Sequence, residues 1–299
     1  MAVTFAEAIK RIQNQFIAGV ADNLVTVDQF LPALPVMTTD RHGVEFNYVA
    51  ARQAAECIAA GGSISEGATT STLTTLYPER FIREVRIPNT VSASDGAFQL
   101  AQAARAVGEL LASDLVNGTG VHATPNPKIA SLVSYTGTSG DQVIDAGGAA
   151  LSFTYLDQVV ARVKVGGMKA LVMNENARFK FNALMRASGG VPMMEIAGGL
   201  LQVPSFNGVP VLTSNYIPST DPGYGENDTS VFCVSLDPMV TQLIIKTDTV
   251  GAEAYDSMVE VIGPVQVVGS DNQSWKVGTQ ANLMIRTPEA VARLYRCAF

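Results

Sequence analysis

The most informative stretch of the chain reads Met168-Lys-Ala-Leu-Val-Met-Asn-Glu-Asn-Ala-Arg-Phe179. Its first half, Lys169 to Met173, is a short apolar run of the length expected for a buried strand. Asn174 follows at once, and asparagine is a preferred residue at helix N-caps. We therefore expect a helix that begins after Asn174 and runs to Arg186. On its buried side we expect Phe179, Phe181 and Leu184.

A second helix is expected just upstream, from Thr154 to Val165, because apolar residues recur there at helical spacing and Gly166-Gly167 ends the pattern. The longest helical pattern lies further upstream, with Ser94 or Asp95 as its cap and Gly118 after its end. At 1.5 Å per residue, the span from Gly96 to Asn117 is about 33 Å. One face carries Leu100, Ala103, Ala104, Val107, Leu110, Leu111 and Leu115.

An extended segment precedes this long helix. Val44, Phe46 and Tyr48 alternate with polar residues, which predicts a short strand. Phe81, Val85 and Ile87 lie in another extended stretch, and a Gly/Ser/Thr-rich segment, Ala59 to Thr75, separates the two. These features predict a long hairpin arm. Because a two-stranded hairpin cannot bury its own faces, we expect another molecule to cover it.

The N-terminal segment predicts an amphipathic helix from Thr4 to Ala18, with Thr4 and Glu7 as a capping box. An apolar stretch broken by Pro32 and Pro35 follows, and we expect it to lie extended against a partner. We interpret the helix as an inter-subunit arm rather than part of the core.

The rest of the chain predicts mainly strands, so the fold class is α+β. A turn at Phe206-Asn-Gly-Val leads into a strand. Further strands are expected at Ile129 to Val133, Val231 to Leu236, Leu243 to Lys246, Tyr255 to Val268 and Leu283 to Ile285, with Ala290 to Cys297 as a closing strand or short helix.

Composition points to a subunit that hides much of its surface. Hydrophobic residues make up 47% of the 299 residues and charged residues only 16%, against about a quarter in ordinary soluble domains. The net charge is -7, and there is no run of Lys or Arg, which argues against a sequence-independent nucleic-acid binder. No apolar run reaches the ~20 residues that span a bilayer, and no signal peptide is recognisable.

Residues suited to catalysis or metal binding are sparse. The two histidines, His42 and His122, and the three cysteines, Cys57, Cys233 and Cys297, are far apart, and no phosphate-binding loop or nucleophile elbow occurs. The closest carboxylate pairs are Asp141 with Asp145 and Glu253 with Asp256. We expect these in solvated loops, and we predict no catalytic residue, no cofactor and no metal site.

The order of these features resembles that of tailed-bacteriophage major capsid proteins of the Hong Kong 97 type. The landmarks are the strand and Asn-capped helix at 168–186, Ser188-Gly-Gly, Gly208 to Val211, Asn215-Tyr-Ile-Pro, the helix end Asn117-Gly-Thr-Gly and the closing segment 284–294. The resemblance implies an N-terminal arm, an extended E-loop hairpin, a peripheral domain with a long spine helix, and an axial domain. The loop tip, Ala59 to Thr75, contains no Lys, so a lysine cross-link from that position is not expected.

The segments implied by the resemblance are 1–40 for the arm, 41–93 for the E-loop, 94–150 and 249–285 for the peripheral domain, and 151–248 and 286–299 for the axial domain. The implied function is self-assembly, through pentamers and hexamers, into an icosahedral shell around double-stranded phage DNA that is contacted without sequence specificity. The expected partners are other copies, a portal and a separate scaffolding protein, with no membrane, and the expected location is the virion, after assembly in the host cytoplasm. The residues expected at inter-subunit contacts are Phe5, Ile9, Ile12, Phe16, Phe81, Arg83, Val85, Arg86 and Ile87.

Three other functions remain open at this point. An encapsulin-like nanocompartment would share the shell architecture but enclose a protein cargo. A hydrolase of mixed α/β fold would need a pocket with convergent polar groups. A tail-tube or decoration protein would be mainly β and would lack a long spine helix.

Overall fold

A computed structural model of the chain describes residues 3–9, 22, 27–51, 70–90, 93–122, 127–190, 192–196, 201–219, 228–247, 258–267 and 271–299. The helices in these ranges are α1 Phe5–Ile9, α2 Phe30–Ala33, α3 Ala93–Asn117, α4 Leu132–Thr136, α5 Phe153–Arg162 and α6 Glu175–Ala187, with a short 3-10 turn at Pro288–Ala290. The first strands are β1 Val3–Thr4, β2 Pro35–Thr39, β3 Val44–Ala51, β4 Thr70–Leu76, β5 Glu79–Pro88, β6 Val143–Asp145, β7 Lys169–Met173 and β8 Met193–Ile196. The later strands are β9 Leu201–Phe206, β10 Val209–Thr213, β11 Asp228–Ser235, β12 Thr241–Lys246, β13 Glu260–Gln266, β14 Asn272–Ile285 and β15 Val291–Ala298.

A seven-stranded sheet with the order β6-β15-β11-β7-β10-β9-β8 contains the stretch quoted first. β7 is the strand expected from Lys169 to Met173, and α6 carries the chain across to β10, which pairs parallel to β7. Asn174 caps α6, since its Oδ1 accepts a hydrogen bond from the Ala177 backbone N at 2.8 Å. The side chains of α5 and α6 cover one face of this sheet, packing around Leu171, Cys233 and Leu294.

A six-stranded sheet is built around the long strand β14. The whole of β5 pairs antiparallel with β14. β12 and β13 pair with successive parts of the opposite edge of β14, and β2 and β1 continue the sheet from β12. The buried face of α3 packs against this sheet, in a cluster that also includes residues from the other face of the seven-stranded sheet. The predicted long helix is therefore confirmed, with a span of 25 residues.

A two-stranded sheet, β3 with β4, is the third unit, and we refer to it as the hairpin. Its root lies on the face of the six-stranded sheet around Ile244 and Met284, where Phe46 is buried against them. The Val49 backbone N also donates a hydrogen bond to the Arg286 carbonyl at 2.9 Å. The hairpin prediction is confirmed for its first strand only, because β3 pairs with β4, Thr70–Leu76, and not with the stretch from Phe81 to Ile87 that was expected as its partner. Residues 59–69 of the Gly/Ser/Thr-rich segment lie outside the described residues.

Four sequence-based expectations differ from the structure. The strand predicted from Ile129 to Val133 is wrong: Ser131 caps a short helix there, through reciprocal bonds with Ser134. Phe179 and Leu110 were expected inside, but they are 56% and 48% exposed. The segment Phe81 to Ile87 is not part of the arm, because β5 pairs with β14 of its own chain.

The N-terminal segment also departs from expectation. Phe5 is buried in the largest core cluster, together with Phe30, Leu31 and Leu34. The interpretation of the described part of this segment as an arm outside the core is therefore wrong, because its large side chains are covered by the same chain. Residues 10–18 of the predicted helix lie outside the described residues.

Some strands also pair across the predicted segment limits. β12 lies within 151–248 but pairs with β14 of 249–285, and β6 lies within 94–150 but pairs with β15 of 286–299. Within the described ranges, no helix is both long and apolar enough to cross a membrane.

Candidate assembly surfaces

The outer face of the hairpin is exposed. Because side chains alternate across a strand, the residues facing away from Phe46 are Glu45 and Asn47 on β3, and Leu73 and Thr75 on β4. Leu73 lies opposite Asn47 and is 64% exposed. A large apolar side chain on the open face of a two-stranded ribbon gains no burial from its own chain, so this face is a candidate contact surface.

The face of the six-stranded sheet that points away from α3 is a second candidate. The strand registers place Ile82 of β5, Gly278 of β14 and Glu260 of β13 in one row. Ile82, Ile262 and Val265 on this face are exposed. Gly278 is confined by its neighbours, since an added Cβ would lie 2.6 Å from the Phe81 carbonyl oxygen.

Charged residues surround these apolar side chains. Arg80 and Glu260 form an ion pair at 2.5 Å, and Glu84 accepts hydrogen bonds from Ser274 Oγ at 2.8 Å and Arg86 Nε at 3.3 Å. The hydrogen bonds from Ser274 and Arg86 hold the pKa of Glu84 below its ordinary value. A mixed surface of this kind is typical of protein interfaces, in which charges form the rim and apolar groups the centre.

The residues expected at inter-subunit contacts divide into three groups. Phe5, Phe81 and Ile87 are buried within their own chain. Their prediction as contact residues is a mistake, because they pack in the same cluster as the buried face of α3. Arg83 and Arg86 are exposed on opposite faces of β5, whereas Val85 is half-buried and packs against the same core cluster, so the two arginines are the members of this group that can reach a neighbour. Ile12, Phe16 and the side chain of Ile9 lie outside the described residues.

A surface that sequence reasoning missed is formed by α6 and β8, at one end of the seven-stranded sheet. Phe179 on α6 and Met193 on β8 are exposed, and β8 is the last strand in the order of the seven-stranded sheet. The sequence signal for Phe179 was ambiguous, because its position next to Arg178 and Lys180 is compatible with either side of the helix.

The groups considered for chemistry do not converge. His42 Nδ1 lies 3.5 Å from Lys246 Nζ, whereas His122 contacts Glu79. Burial raises the pKa of both the Cys233 and the Cys297 thiols to about 12, so neither is a thiolate nucleophile at neutral pH.

The carboxylates considered for chemistry are engaged in structural contacts. Asp145 pairs with Arg296, and its Oδ1 accepts a hydrogen bond from the Gly147 backbone N. Glu253, Asp256 and Cys57 lie outside the described residues. Among the residues that the structure describes, no cluster of three or more His, Cys, Asp or Glu side chains is arranged to hold a metal ion.

A polar cleft of about 390 Å³ lies where the parallel strands β7 and β10 end. Its lining includes Asn174, Glu175, Asn215, Tyr216 and Ser219. Asn174 is occupied by its capping bond and by a hydrogen bond to Thr229 Oγ1 at 3.0 Å, so it serves the helix. The described residues that line the cleft include no histidine, cysteine or lysine, and they offer no nucleophile paired with a base.

No protein-family model matches the sequence, and no curated protein sequence matches it. Solved structures do match over most of their length. The capsid of an empty GTA particle aligns with a TM-score of 0.66 at 12% identity, covering 91% of this chain and 90% of that chain. The capsid protein of cyanophage A-1(L) aligns with a TM-score of 0.61 at 13% identity, covering 88% of this chain and 90% of that chain.

A third similar structure is the holo-SrpI encapsulin complex from Synechococcus elongatus, with a TM-score of 0.61 at 14% identity, covering 88% of this chain and 84% of that chain. Each of the three alignments covers about nine-tenths of this chain. The chain therefore has the Hong Kong 97-type α+β fold of phage capsid proteins.

Proposed function

We propose that this chain is the major capsid protein of a tailed bacteriophage and that it self-assembles into an icosahedral shell around double-stranded DNA. The observation that carries the proposal is the near-complete structural match to capsid proteins, at about 90% of both chains. The low charged fraction, 16%, supports it, because a subunit enclosed by neighbours on several sides needs less charged surface.

The hairpin is the part of the subunit that we assign to a neighbouring copy. Among the described residues, its inner face is covered at the root by Ile244 and Met284, and its outer face is open around Leu73. Arg83 and Arg86 provide further exposed contacts on the two faces of β5, while Val85 packs against the core cluster of its own chain. Exposed ion pairs contribute about 0–1 kcal/mol each, so their effect depends on repetition around the shell.

The net charge of -7 supports an enclosing rather than a binding role toward DNA. A shell that bound phosphates tightly would hinder packaging and ejection, and tight binding requires clustered cations. We propose contact with the packaged genome without sequence specificity, a portal and a separate scaffolding protein as partners, and assembly in the host bacterial cytoplasm. The segment limits implied by the resemblance, with the described part of 1–40 and with β5, β6 and β12 reassigned to the sheets in which they pair, are part of the same proposal.

Electron microscopy of the purified, concentrated protein tests the proposal, with light scattering as a measure of particle mass. We expect closed hollow shells built from pentamers and hexamers. Only monomers or dimers under all conditions, including co-expression with the other structural proteins of the phage, would contradict it. A non-enzymatic role is part of the proposal, so turnover that disappears on substitution of His42, His122 or the Asp141/Asp145 pair would also contradict it.

An encapsulin-like compartment is the second candidate, and the alignment with the Synechococcus elongatus encapsulin favours it. The two functions differ in what the particles contain. Nuclease treatment followed by extraction of purified particles gives protected genomic DNA if the chain is a phage capsid protein. A stoichiometric second protein without DNA would instead favour the compartment.

Limited proteolysis tests the assignment of the hairpin. Cleavage between Gly61 and Arg80 should be fast in unassembled subunits and much slower in particles, since a neighbour would cover the hairpin. Cleavage between residues 137 and 142, in the loop after α4, provides an internal comparison of accessibility in the two states. Equal cleavage rates in subunits and particles would show that the hairpin makes no assembly contact.

A further inference from the structure

Three alternate residues of β14 hold the hairpin on the face of the six-stranded sheet. Asn282 Nδ2 donates a hydrogen bond to the carbonyl of Tyr77, the residue that follows β4, at 2.8 Å. Met284 packs against the hairpin root, and the Arg286 carbonyl accepts a hydrogen bond from the Val49 backbone N at 2.9 Å. Because side chains alternate along a strand, Asn282 and Met284 project from the same face of β14. The hairpin is therefore attached at one place by a side chain and at another by backbone groups.

The two hydrogen bonds hold opposite ends of the described ribbon. Tyr77 directly follows β4 at one end, whereas Val49 pairs with Ser71 near the other end. Their partners on β14 are four positions apart, a separation of about 13 Å in an extended strand. A ribbon that is held at two points this far apart has a fixed direction, whereas a ribbon held at one point can pivot about it.

Asn282 is a buried residue whose side-chain amide joins three backbone segments. It is 4% exposed, and its Oδ1 accepts hydrogen bonds from the Ala130 backbone N at 3.0 Å and from the Leu283 backbone N at 2.8 Å. Since these two partners are donors and the Tyr77 carbonyl is an acceptor, the partners fix the orientation of the amide. A buried polar group with its partners in place specifies one arrangement of the segments that it joins.

The segment that contains Ala130 is fixed to the end of α3. Ser131, the next residue, donates a hydrogen bond from its Oγ to the Gly118 carbonyl, directly after α3. Gly118 is confined in turn, because an added Cβ would clash with the Ile129 carbonyl oxygen. Asn282 therefore connects the hairpin to a segment that is packed closely against the end of α3.

We propose that Asn282 is a positioning residue that sets the direction in which the hairpin projects from the subunit. The backbone bond at Arg286 can form whichever side chain occupies that position, whereas the bond to the Tyr77 carbonyl requires a side-chain donor at position 282. The residue at 282 thus decides whether the ribbon is held at both ends. Because the hairpin is the proposed inter-subunit arm, its direction would determine how it meets a neighbouring copy, and this consequence rests on the proposed function.

Distance measurements between two spin labels on the unassembled full-length subunit test the proposal without requiring shells. One label is attached at Ser71→Cys, at the end of β4 that lies away from the side-chain attachment, and the other at Gln102→Cys on the exposed side of α3. The background carries Cys57→Ser, and the other two cysteines, Cys233 and Cys297, are buried. The introduced thiols are therefore the ones that react with the label.

Two variants remove the side-chain attachment in different ways. Asn282→Ala removes all three hydrogen bonds, whereas the ionised carboxylate of Asn282→Asp can accept from the two backbone N–H groups but cannot donate to Tyr77. Thr279→Val is the matched control, because Thr279 is a β14 residue with 1% exposure whose Oγ1 donates to the Met258 carbonyl at 2.9 Å. This control removes a buried hydrogen bond from the same strand without changing a contact to the hairpin.

The unsubstituted subunit and Thr279→Val should give the same single, narrow distance distribution. Asn282→Ala and Asn282→Asp should lose it and give a broad distribution, in samples that circular dichroism shows to be folded. A narrow, unshifted distribution in a folded Asn282 variant, or a broad one in the unsubstituted subunit, would overturn the positioning role. Broadening in Thr279→Val would overturn it as well, and so would failure of both Asn282 variants to fold under conditions in which Thr279→Val folds. None of these outcomes depends on whether shells form, so failure of the proposed function would be seen separately.

Discussion

The region around α3 and the hairpin both display apolar side chains, but they differ in what covers them. Leu100, Leu111 and Leu115 of α3 are covered by β5, β14 and the seven-stranded sheet of the same chain. The hairpin buries Phe46 at its root and leaves Leu73 open. The same kind of residue therefore serves subunit stability in one region and remains available for a partner in the other.

Because of this difference, substitutions can measure the stability of the subunit and its association with other copies separately. Changes at the buried face of α3 should alter the free energy of unfolding of the isolated subunit. Changes on the outer face of the hairpin should leave that free energy almost unchanged and affect only association. The predictions that follow proceed from the largest expected effect on subunit stability to the smallest.

The largest effect is expected for Leu111→Ala. Leu111 is fully buried in the core cluster, so its truncation leaves a cavity and should reduce the free energy of unfolding by about 2–5 kcal/mol. Urea unfolding followed by circular dichroism measures the loss. Leu110→Ala is the matched control, because Leu110 is adjacent in sequence but 48% exposed, and this substitution should cost less than about 1 kcal/mol. Similar losses for the two variants would contradict the assigned packing of α3.

A smaller loss, about 1–2 kcal/mol, is expected for Asn174→Ala. The variant removes the cap that bonds to the Ala177 backbone N, and it also removes the bond from Asn174 Nδ2 to Thr229 Oγ1. Asn174→Asp is the informative comparison, because aspartate is an equally good cap but cannot donate to Thr229. If Asn174→Asp is as unstable as Asn174→Ala, the bond to Thr229 rather than the cap accounts for the loss.

Local signals explain why this part of the fold could be predicted from the sequence. β7, the Asn174 cap and the extent of α3 depend on short-range patterns, and the structure confirms each of them. The helix at Leu132–Thr136 was missed because its capping box uses two serines, Ser131 and Ser134, where a glutamate or glutamine would have given a clearer signal. That segment is also too short for its periodicity to distinguish helix from strand.

Long-range pairing explains most of what could not be predicted. Phe81 and Ile87 alternate as in any amphipathic strand, and nothing in this pattern says whether the covering surface belongs to the same chain or to another. The registers with β14 and the packing of α3 decide that it is the same chain. Phe5 was misassigned for the same reason, since its partners Phe30 and Leu34 are adjacent only in the folded chain.

A weaker, pH-dependent effect is expected at Asp28, which links the N-terminal segment to the end of β10. Its Oδ2 accepts a hydrogen bond from Ser214 Oγ at 2.6 Å, and burial raises the pKa of the carboxyl above its ordinary value despite this bond. The folded state thus favours the protonated form. Stability from this group is fully present below the ordinary value, and it is lost as the pH rises through the folded-state pKa.

The Asp28→Asn variant removes the titration, because the amide is always neutral. Its single oxygen replaces only one of the two acceptors that serve Ser214 Oγ and the Phe30 backbone N, and this loss does not depend on pH. Unfolding free energies of the two proteins, measured by urea titration from pH 3.5 to pH 7, should diverge in favour of Asp28→Asn as the pH increases, and the difference should then level off. A constant difference across this range would show that Asp28 does not titrate differently in the folded and unfolded states.

The smallest effect on the subunit, and a large one on assembly, is expected for Leu73→Ala. Leu73 is 64% exposed, so its truncation should change the free energy of unfolding by less than about 0.5 kcal/mol. In the shell, however, every copy would lose apolar contact at the hairpin, so the yield of particles at a fixed protein concentration should fall. Sedimentation measures the yield, and Leu110→Ala on the exposed side of α3 controls for the loss of an exposed leucine elsewhere. If both variants assemble like the unsubstituted protein, the hairpin face around Leu73 is not a contact, and its open surface needs another explanation. If Leu73→Ala alone assembles poorly while its unfolding curve is unchanged, the apolar surface of the hairpin acts between subunits and that of α3 acts within one.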